Sequence, residues 1–543
     1  MKFPSCLKTR HENKGVIPAL VAGTQSTSPQ MATPMDPGNK SREDTSGCGK
    51  GNWTAKWARL ASTLLIGTTL AACSMAPDYE RPQTGATQGW SGPQEAGTPV
   101  SAEWWTSFGD PELTLLMQMA LADNLDIAQA LARIEQARGA ARSAGSSLLP
   151  QLSGSGSAAT RASDGGSSRE SADIGLSASY ALDIWGRYRN QASAARFSLD
   201  ATTFDGETTA LLVQSQVAAT YFTILAVKDQ IAIAEESLAA ARGTLDIVEA
   251  RYNAGSISGL DLAQQRNTVA SIEAGIPSLK ANLAAQQNAL AILIGRTPGA
   301  FGVEGDTLAR ATLPAIAAGQ PSDLLERRPD IKSAEARLMS ANADIGAARA
   351  AFFPSLDLSA SLTRSFATAS PAETLTSAGA SLLAPIFSGG TLEGNLQSAN
   401  ARQRELAAGY QLTVLNSFGE VENALVNVEA TAERERLLTI AAEEAGKAYQ
   451  LAEARYRAGA SDLLSVLDAQ RAWLSARDSA AQAKLNRYTT AVDLFVALGG
   501  GWRSCRDAAS ALRPWRRGCQ REGRRGADPR RRARASCRRR AAG

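Results

Sequence analysis

From Ile224 onward, apolar residues recur in alternating steps of three and four: Ile224, Val227, Ile231, Ala234, Leu238, Ala241, Leu245, Val248 and Tyr252. This is the seam of a coiled coil, and it predicts a helix over 190–253, roughly 64 residues or about 96 Å long at 1.5 Å per residue. A counterpart of nearly equal length is expected over 391–457. Helices over 112–147, 257–294, 324–350 and 461–498 are about half as long. Stacked end to end, 112–147 with 257–294 and 324–350 with 461–498, each pair matches one long helix. Such length matching suits the wall of a tube better than an ordinary bundle core.

Between the helices the period changes to two. Ile174, Leu176, Ala178, Tyr180 and Leu182 alternate with small or polar residues, as do Leu356, Leu358, Ala360 and Leu362. Alternation over about ten residues is the pattern of a transmembrane β-strand, although half-buried strands of soluble sheets share it. Segments 151–161 and 374–387 are the expected hairpin partners, completing hairpins over 151–183 and 355–387. Four strands cannot close a barrel, and an open edge in lipid leaves backbone groups without partners. Several chains must then share one barrel, and three would supply twelve strands.

The patterns repeat at an offset of 204. Asp126-Ile127 recurs as Asp330-Ile331, Ala132-Arg133 as Ala336-Arg337, Pro150 as Pro354, and Ala250-Arg251-Tyr252 as Ala454-Arg455-Tyr456. Residues 112–300 and 324–502 are therefore two copies of one unit, each a helix, a β-hairpin and a helical hairpin (190–294 and 391–498). A tether, 73–111, precedes them and a linker, 301–323, joins them. The fold class is an α+β membrane protein.

Charge and residue counts narrow the chemistry. Lys and Arg exceed Asp and Glu by only 4 in 543 residues, but residues 503–543 hold 15 Arg against 3 acids and residues 1–72 hold 9 Lys and Arg against 4 acids. The stretch 73–502 is left acidic, which argues against a nucleic-acid partner. The Arg-rich 503–543 reads as out-of-frame or disordered sequence rather than a nucleic-acid arm. His11, the sole histidine, lies upstream of the expected cleavage site, so the mature chain has no histidine base, triad or histidine metal site. Residues 74–502 contain no cysteine, and no phosphate-binding glycine loop occurs. Neither an enzyme nor a resident cofactor or metal is expected.

Lys56 and Arg59 precede the apolar run Leu60–Ala72, which ends Leu70-Ala71-Ala72-Cys73. The run suits a secretory signal and is too short to span a bilayer. Leu-Ala-Ala-Cys resembles the bacterial lipobox, which makes Cys73 the expected acylated first residue, carrying S-diacylglycerol and N-palmitoyl groups. More than one chain is needed for stable anchoring in lipid. Ser74, in place of Asp, implies sorting to the outer membrane. Residues 1–50 read as sequence ahead of the true start, or as discarded with the signal.

The chain resembles the TolC-like outer membrane factors, in the NodT-type, OprM-like lipoprotein branch that serves resistance-nodulation-division (RND) efflux pumps. The resemblance is carried by Cys73, by Ala76-Pro77-Asp78-Tyr79-Glu80-Arg81-Pro82, and by Trp104-Trp105-Thr106-Ser107-Phe108-Gly109-Asp110-Pro111. Arg327-Arg328-Pro329-Asp330-Ile331, Phe353-Pro354-Ser355-Leu356, Asp468-Ala469-Gln470-Arg471 and Ala497-Leu498-Gly499-Gly500-Gly501-Trp502 add to it. It implies a homotrimer with a shared barrel and a periplasmic helical tunnel, working with a periplasmic adaptor and an inner-membrane RND pump to export drugs or other toxic small molecules. A TolC-like duct for type I protein secretion shares this fold. A periplasmic coiled-coil lipoprotein without a pore would leave the period-two segments unexplained. The resemblance also places a gate where the long helices reverse, at 252–260 and 456–464. A Tyr-Arg pair with an Asp twelve residues beyond the Tyr matches Tyr456, Arg457 and Asp468, with Leu464 as an apolar constriction and Asp462 extending an acidic entrance.

Overall fold

The computed structural model describes residues 74–85, 89–91, 100–161, 169–299, 301–367 and 370–500. Cys73, the signal and the Arg-rich tail lie outside them.

The first repeat runs α1 (Pro111–Asp123), α2 (Leu125–Ser146), β1 (Gln151–Arg161), β2 (Arg169–Leu182), α3 (Arg187–Asn253) and α4 (Gly259–Leu293). The second runs α5 (Pro321–Arg327), α6 (Pro329–Ala350), β3 (Ser355–Ala367), β4 (Ser370–Leu383), α7 (Thr391–Arg457) and α8 (Leu463–Ala497). Three helix pairs, α2 with α6, α3 with α7 and α4 with α8, start and stop 204 residues apart. The long helices have 67 residues each, about 100 Å at 1.5 Å per residue. One stretch of α3 is apolar enough to cross a membrane, but most of it is buried inside the chain, as core.

Two expected helices are broken, both at the same repeat position. The segment 112–147 divides at Asn124, whose side chain accepts hydrogen bonds from the Asp126 and Ile127 amides and caps α2. The segment 324–350 divides at Arg328, held extended (ψ 122°) by the ring of Pro329. These breaks serve the end-to-end stacking. Asn124 Nδ2 donates to Leu293 O at the end of α4 (2.8 Å), and Arg328 Nη1 to Ala497 O at the end of α8 (2.9 Å). Arg328 also pairs with Asp330 at 2.6 Å and Glu420 at 2.7 Å, which ties three helices together.

The four strands form one antiparallel sheet in the order β1-β2-β3-β4. One face carries Leu152, Leu176, Leu358, Leu362 and Leu382. The other carries a serine row, in which Ser153 and Ser177 are 2.7 Å apart and Ser361 and Ser377 2.8 Å. The expected strand 374–387 starts earlier and stops at Leu383, because Pro385 cannot donate to a ladder. Among the described residues, both outer edges, β1 and β4, have no partner strand within the chain.

The main core lies where the repeats meet the tether and linker. Trp104 stacks on Phe495 (5.2 Å) and Phe108 packs on Phe222 (5.0 Å), while Tyr221 donates to Asp110, the cap of α1, at 2.8 Å. From there the tether runs back along α6. Arg81 makes two bonds to Glu335 (2.7 and 2.8 Å), and Tyr79 Oη donates to the same carboxylate at 3.2 Å. Burial, and then the Glu335 charge, push the Tyr79 hydroxyl well above its usual range. Ala76 rests on Gly346, where a Cβ would fall 2.8 Å from it, and Ser74 Oγ donates to Asn190 at 3.2 Å. The signature Ala76–Pro82 is thus a strap that brings the chain to the last turns of α6, next to the sheet.

Glu335→Ala should leave the exposed Arg81 with only Glu326, at 3.3 Å, and take from Tyr79 its acceptor; a cost of about 1–2 kcal/mol is expected, between the values for exposed and buried pairs. A lowered Tm with new proteolytic cleavage within 74–85 is expected. Unchanged cleavage would show that the strap is held elsewhere.

Candidate functional site

The helical hairpins reverse at the end far from the sheet, and the two reversals are built alike. After α3, Gly255 (φ 71°) donates to Tyr252 O and Ser256 to Arg251 O. After α7, Gly459 (φ 74°) donates to Tyr456 O and Ala460 to Arg455 O. This is the Schellman arrangement, which needs a residue tolerant of the left-handed region. The return helices are capped by Ser258, in a capping box with Asp261, and by Asp462.

Asp462 accepts from Ser465 Oγ at 2.5 Å and Ser465 N at 3.0 Å, and these bonds hold its carboxyl below the usual range. The cap's contribution is therefore complete at neutral pH and is lost only as pH falls through that depressed value. In the chain Asp462 is an exposed residue that acts as a helix cap.

Tyr456 differs most from its expected role. Only 2% exposed, it packs with Val248, Leu262, Leu463, Val466 and Leu467 in the core of the tip instead of projecting as a free side chain. Its ring lies under the Arg251 guanidinium (4.4 Å), and Arg251 Nη2 also donates to Tyr456 O (2.7 Å) and Arg457 O (3.1 Å). Arg251 thus satisfies the carbonyls at the end of α7 from the other hairpin. Arg457 holds Glu453 of its own helix (2.7 Å), not Asp468, and Asp468 pairs loosely with Arg471 (3.4 Å). Leu464 is 52% exposed. Leu464, Asp468 and Arg457 therefore stand on the surface of the tip, while Tyr456 anchors it. Further along, Tyr449 stacks on Trp473 (5.1 Å) and faces Thr244 (3.3 Å), again joining the hairpins.

Arg251 is the contributor that the pattern of the sequence left unassigned. Its signal was the repeated Ala-Arg-Tyr, which marks two equivalent positions but not which arginine reaches which tyrosine. Arg251→Ala should lower stability by about 1–2 kcal/mol and speed proteolysis at 458–462, since two charge-assisted bonds and the ring contact go together. Arg471→Ala, which removes only an exposed pair, should change neither. Equal proteolysis in the two variants would refute the latch.

Comparison with known proteins fits this geometry. Residues 116–296 and 320–500 each match the family model described as Outer membrane efflux protein. Pyoverdine export outer membrane protein OpmQ of Pseudomonas putida is 38% identical over 460 residues, covering 81% of this chain and 97% of its own. Cation efflux system protein CusC of Escherichia coli K12 is 33% identical over 455 residues, covering 80% and 98%. The structure of the open state of the Neisseria gonorrhoeae MtrE outer membrane channel superposes with a TM-score of 0.72 at 30% identity, covering 79% of this chain and 98% of that one.

Proposed function

The chain belongs to the outer membrane efflux protein family and acts as an outer membrane efflux duct extending into the periplasm; from that premise we propose how it is assembled, anchored and gated. Three copies share a twelve-stranded barrel, and their helices continue it as a tunnel. The observation that carries this is the four-stranded sheet with both edges unpaired, which no single chain can place in lipid. The duct is passive, and energy comes from an inner-membrane RND pump reached through a periplasmic adaptor.

Cys73 carries the S-diacylglycerol and N-palmitoyl groups, which is supported by the strap that fixes Ser74 and Ala76 beside the sheet, one residue from the acylated cysteine. The cargo is drugs or other toxic small molecules. OpmQ is named for pyoverdine and CusC for cations, so relatives of similar length convey unlike cargo. Choice of cargo then rests with the pump. At the tip, any inward side chain is repeated three times around one axis. Leu464 forms the apolar constriction, and rings of Asp468 favour cations and repel anions. Arg457, tied to Glu453 on its own helix, adds a positive charge near this ring, Tyr456 fixes the helix that carries it, and Asp462 caps the next.

Cys73→Ser should abolish palmitate labelling and reduce membrane retention while the barrel keeps part of the protein inserted. Equal labelling of variant and wild type would dispose of the lipoprotein reading.

Replacing Arg457 and Asp468 together by Ala should raise single-channel conductance in planar bilayers and lower cation preference several-fold. Recordings indistinguishable from wild type in both quantities would place the gate elsewhere.

A further inference from the structure

Where the sheet passes into the helices, two arginines stand together without an acid. Arg187 opens α3 and Arg349 lies in the last turn of α6, and both are exposed. These helices run antiparallel, and their contacts fix the register: Asn190 fills the space over Gly346, Ser340 donates to Ala194 O (2.9 Å) and Ser333 to Asp205 (2.6 Å). Continued one turn toward the sheet from Asn190 and Gly346, the same register brings Arg187 opposite Arg349.

Among the described residues neither arginine pairs with a carboxylate. Arg187 lies over the Tyr188 ring (6.0 Å), and Arg349 Nη1 meets Met75 O at 3.5 Å. Asp183 is taken by the Arg189 side chain (3.2 Å) and by the Tyr188 and Arg189 amides (3.1 and 2.8 Å). Asp344 stands about 140° round α6 from Arg349, at about 100° per residue. The equivalent positions 204 residues away hold Thr391 and Gly145, so the repeat fold does not itself require this charge. Acids of a neighbouring copy are also remote, because β2 and β3 are the inner strands of the sheet and the joint lies away from both open edges.

The depth of the pair is set by the sheet. β2 ends at Leu182 and β3 starts at Ser355. Just beyond them Trp185 stacks on Phe353 (4.6 Å) and donates to Pro354 O (3.0 Å), an aromatic pair of the kind that sits at a bilayer boundary. Headgroups add about 5–7 Å on each side of a hydrocarbon core of about 30 Å, and one helical turn rises about 5.4 Å. Within about a turn of the aromatic pair, the arginines therefore stand at the level of the lipid phosphates. The strap crosses the same joint, with Ala76 on Gly346 and Ser74 on Asn190. Acyl chains on Cys73 have to reach lipid, so this is the outer face of the wall.

Resting on the reading of the sheet as part of a barrel in lipid, we propose that Arg187 and Arg349 bind the phosphate of an anionic phospholipid, phosphatidylglycerol or a relative, in the leaflet facing the periplasm. Guanidinium forks match phosphate oxygens two by two and give up water more readily than an ammonium does. Two positive charges with no carboxylate between them select a net-negative headgroup over a zwitterionic one. The bound lipid lies beside the acyl chains proposed for Cys73, and a basic patch is the kind of second attachment that makes acyl anchoring firm.

The test uses the full chain, expressed with its signal and extracted in mild detergent. It is titrated with phosphatidylglycerol, phosphatidylcholine or inorganic phosphate, and bound molecules are counted by native mass spectrometry. At about five-fold per arginine near anionic lipid, wild type should prefer phosphatidylglycerol to phosphatidylcholine by at least about five-fold, and Arg187→Gln with Arg349→Gln should weaken phosphatidylglycerol binding about 25-fold. Arg196→Gln, about 13 Å further from the sheet along α3, should change binding less than about two-fold. Equal affinity of wild type for the two lipids, a result that needs no variant to fold, overturns the site. So does unchanged affinity in the double variant, or a loss with Arg196→Gln as large as with the pair. Complete displacement of the lipid by millimolar inorganic phosphate would make the ligand a free anion and overturn the headgroup. Flotation with liposomes checks the premise separately. A chain that stays out of lipid overturns the barrel reading and the site with it, whereas one that floats without preferring phosphatidylglycerol overturns the site alone.

Discussion

An unpaired strand edge is costly in water and prohibitive in hydrocarbon, because each free N–H and C=O there has nothing to bond. Among its described residues this chain makes a single sheet of four strands and leaves two such edges. Most of the architecture follows from that deficit. Closure must come from other copies, so the helices that continue the strands must form a wall and not a packed bundle. Their apolar positions are accordingly a narrow stripe in steps of three and four. The half-length helices must also join end to end to match the long ones, which is the office of Asn124 and Arg328 at the ends of α4 and α8.

The same deficit explains why duplication suits the fold. A unit that cannot bury its own faces is stabilised by a second unit beside it. Once fused, the repeats were free to diverge wherever the two joints differ. Asn124 and Arg328 reach equivalent carbonyls with different chemistry, one by capping α2 and the other through a cluster of ion pairs. Tyr252 and Tyr456 share a repeat position, yet only Tyr456 finds its arginine within the chain.

Much of this was legible in the sequence, because periodicity reports which face is buried. The long helices, the strand pairs and the repeat offset all came from it, as did the reversal points at 252–260 and 456–464. The breaks at Asn124 and Arg328 leave no mark in the periodicity, since the apolar stripe runs on across them; only Pro329 hints at the second. At the tip the sequence shows only a set of charges and an aromatic at fixed spacing. Spacing alone could not show that Tyr456 is core, that Arg457 is taken by Glu453, or that Arg251 comes from the other repeat. Those facts depend on which hairpin packs against which, a long-range choice that no local pattern records. The lipid site proposed at Cys73 is the reverse case: it rests on sequence context, since Cys73 lies outside the described residues.

Packing strength is uneven along the tunnel, and this decides where movement can occur. The repeats, tether and linker meet in one continuous aromatic core, fixed further by Arg328 and by Lys228, which donates to Val303 O and Gly305 O at 2.6 and 2.7 Å. Beyond it toward the tip, buried apolar clusters shrink to Leu238, Ala241, Val269 and Ile276, and then to the Tyr456 group. Between them the helices carry fully exposed pairs such as Arg436–Glu433 and Lys447–Glu444, which solvent screens and which add little to stability. Local opening has a low free energy where buried contacts are few. The stretch between core and tip is therefore the compliant part, and the Arg251 latch at its far end sets how firmly the two hairpins stay together. The gate proposed at that end would need to exchange only a few polar contacts to change state, leaving the sheet and the core above it undisturbed.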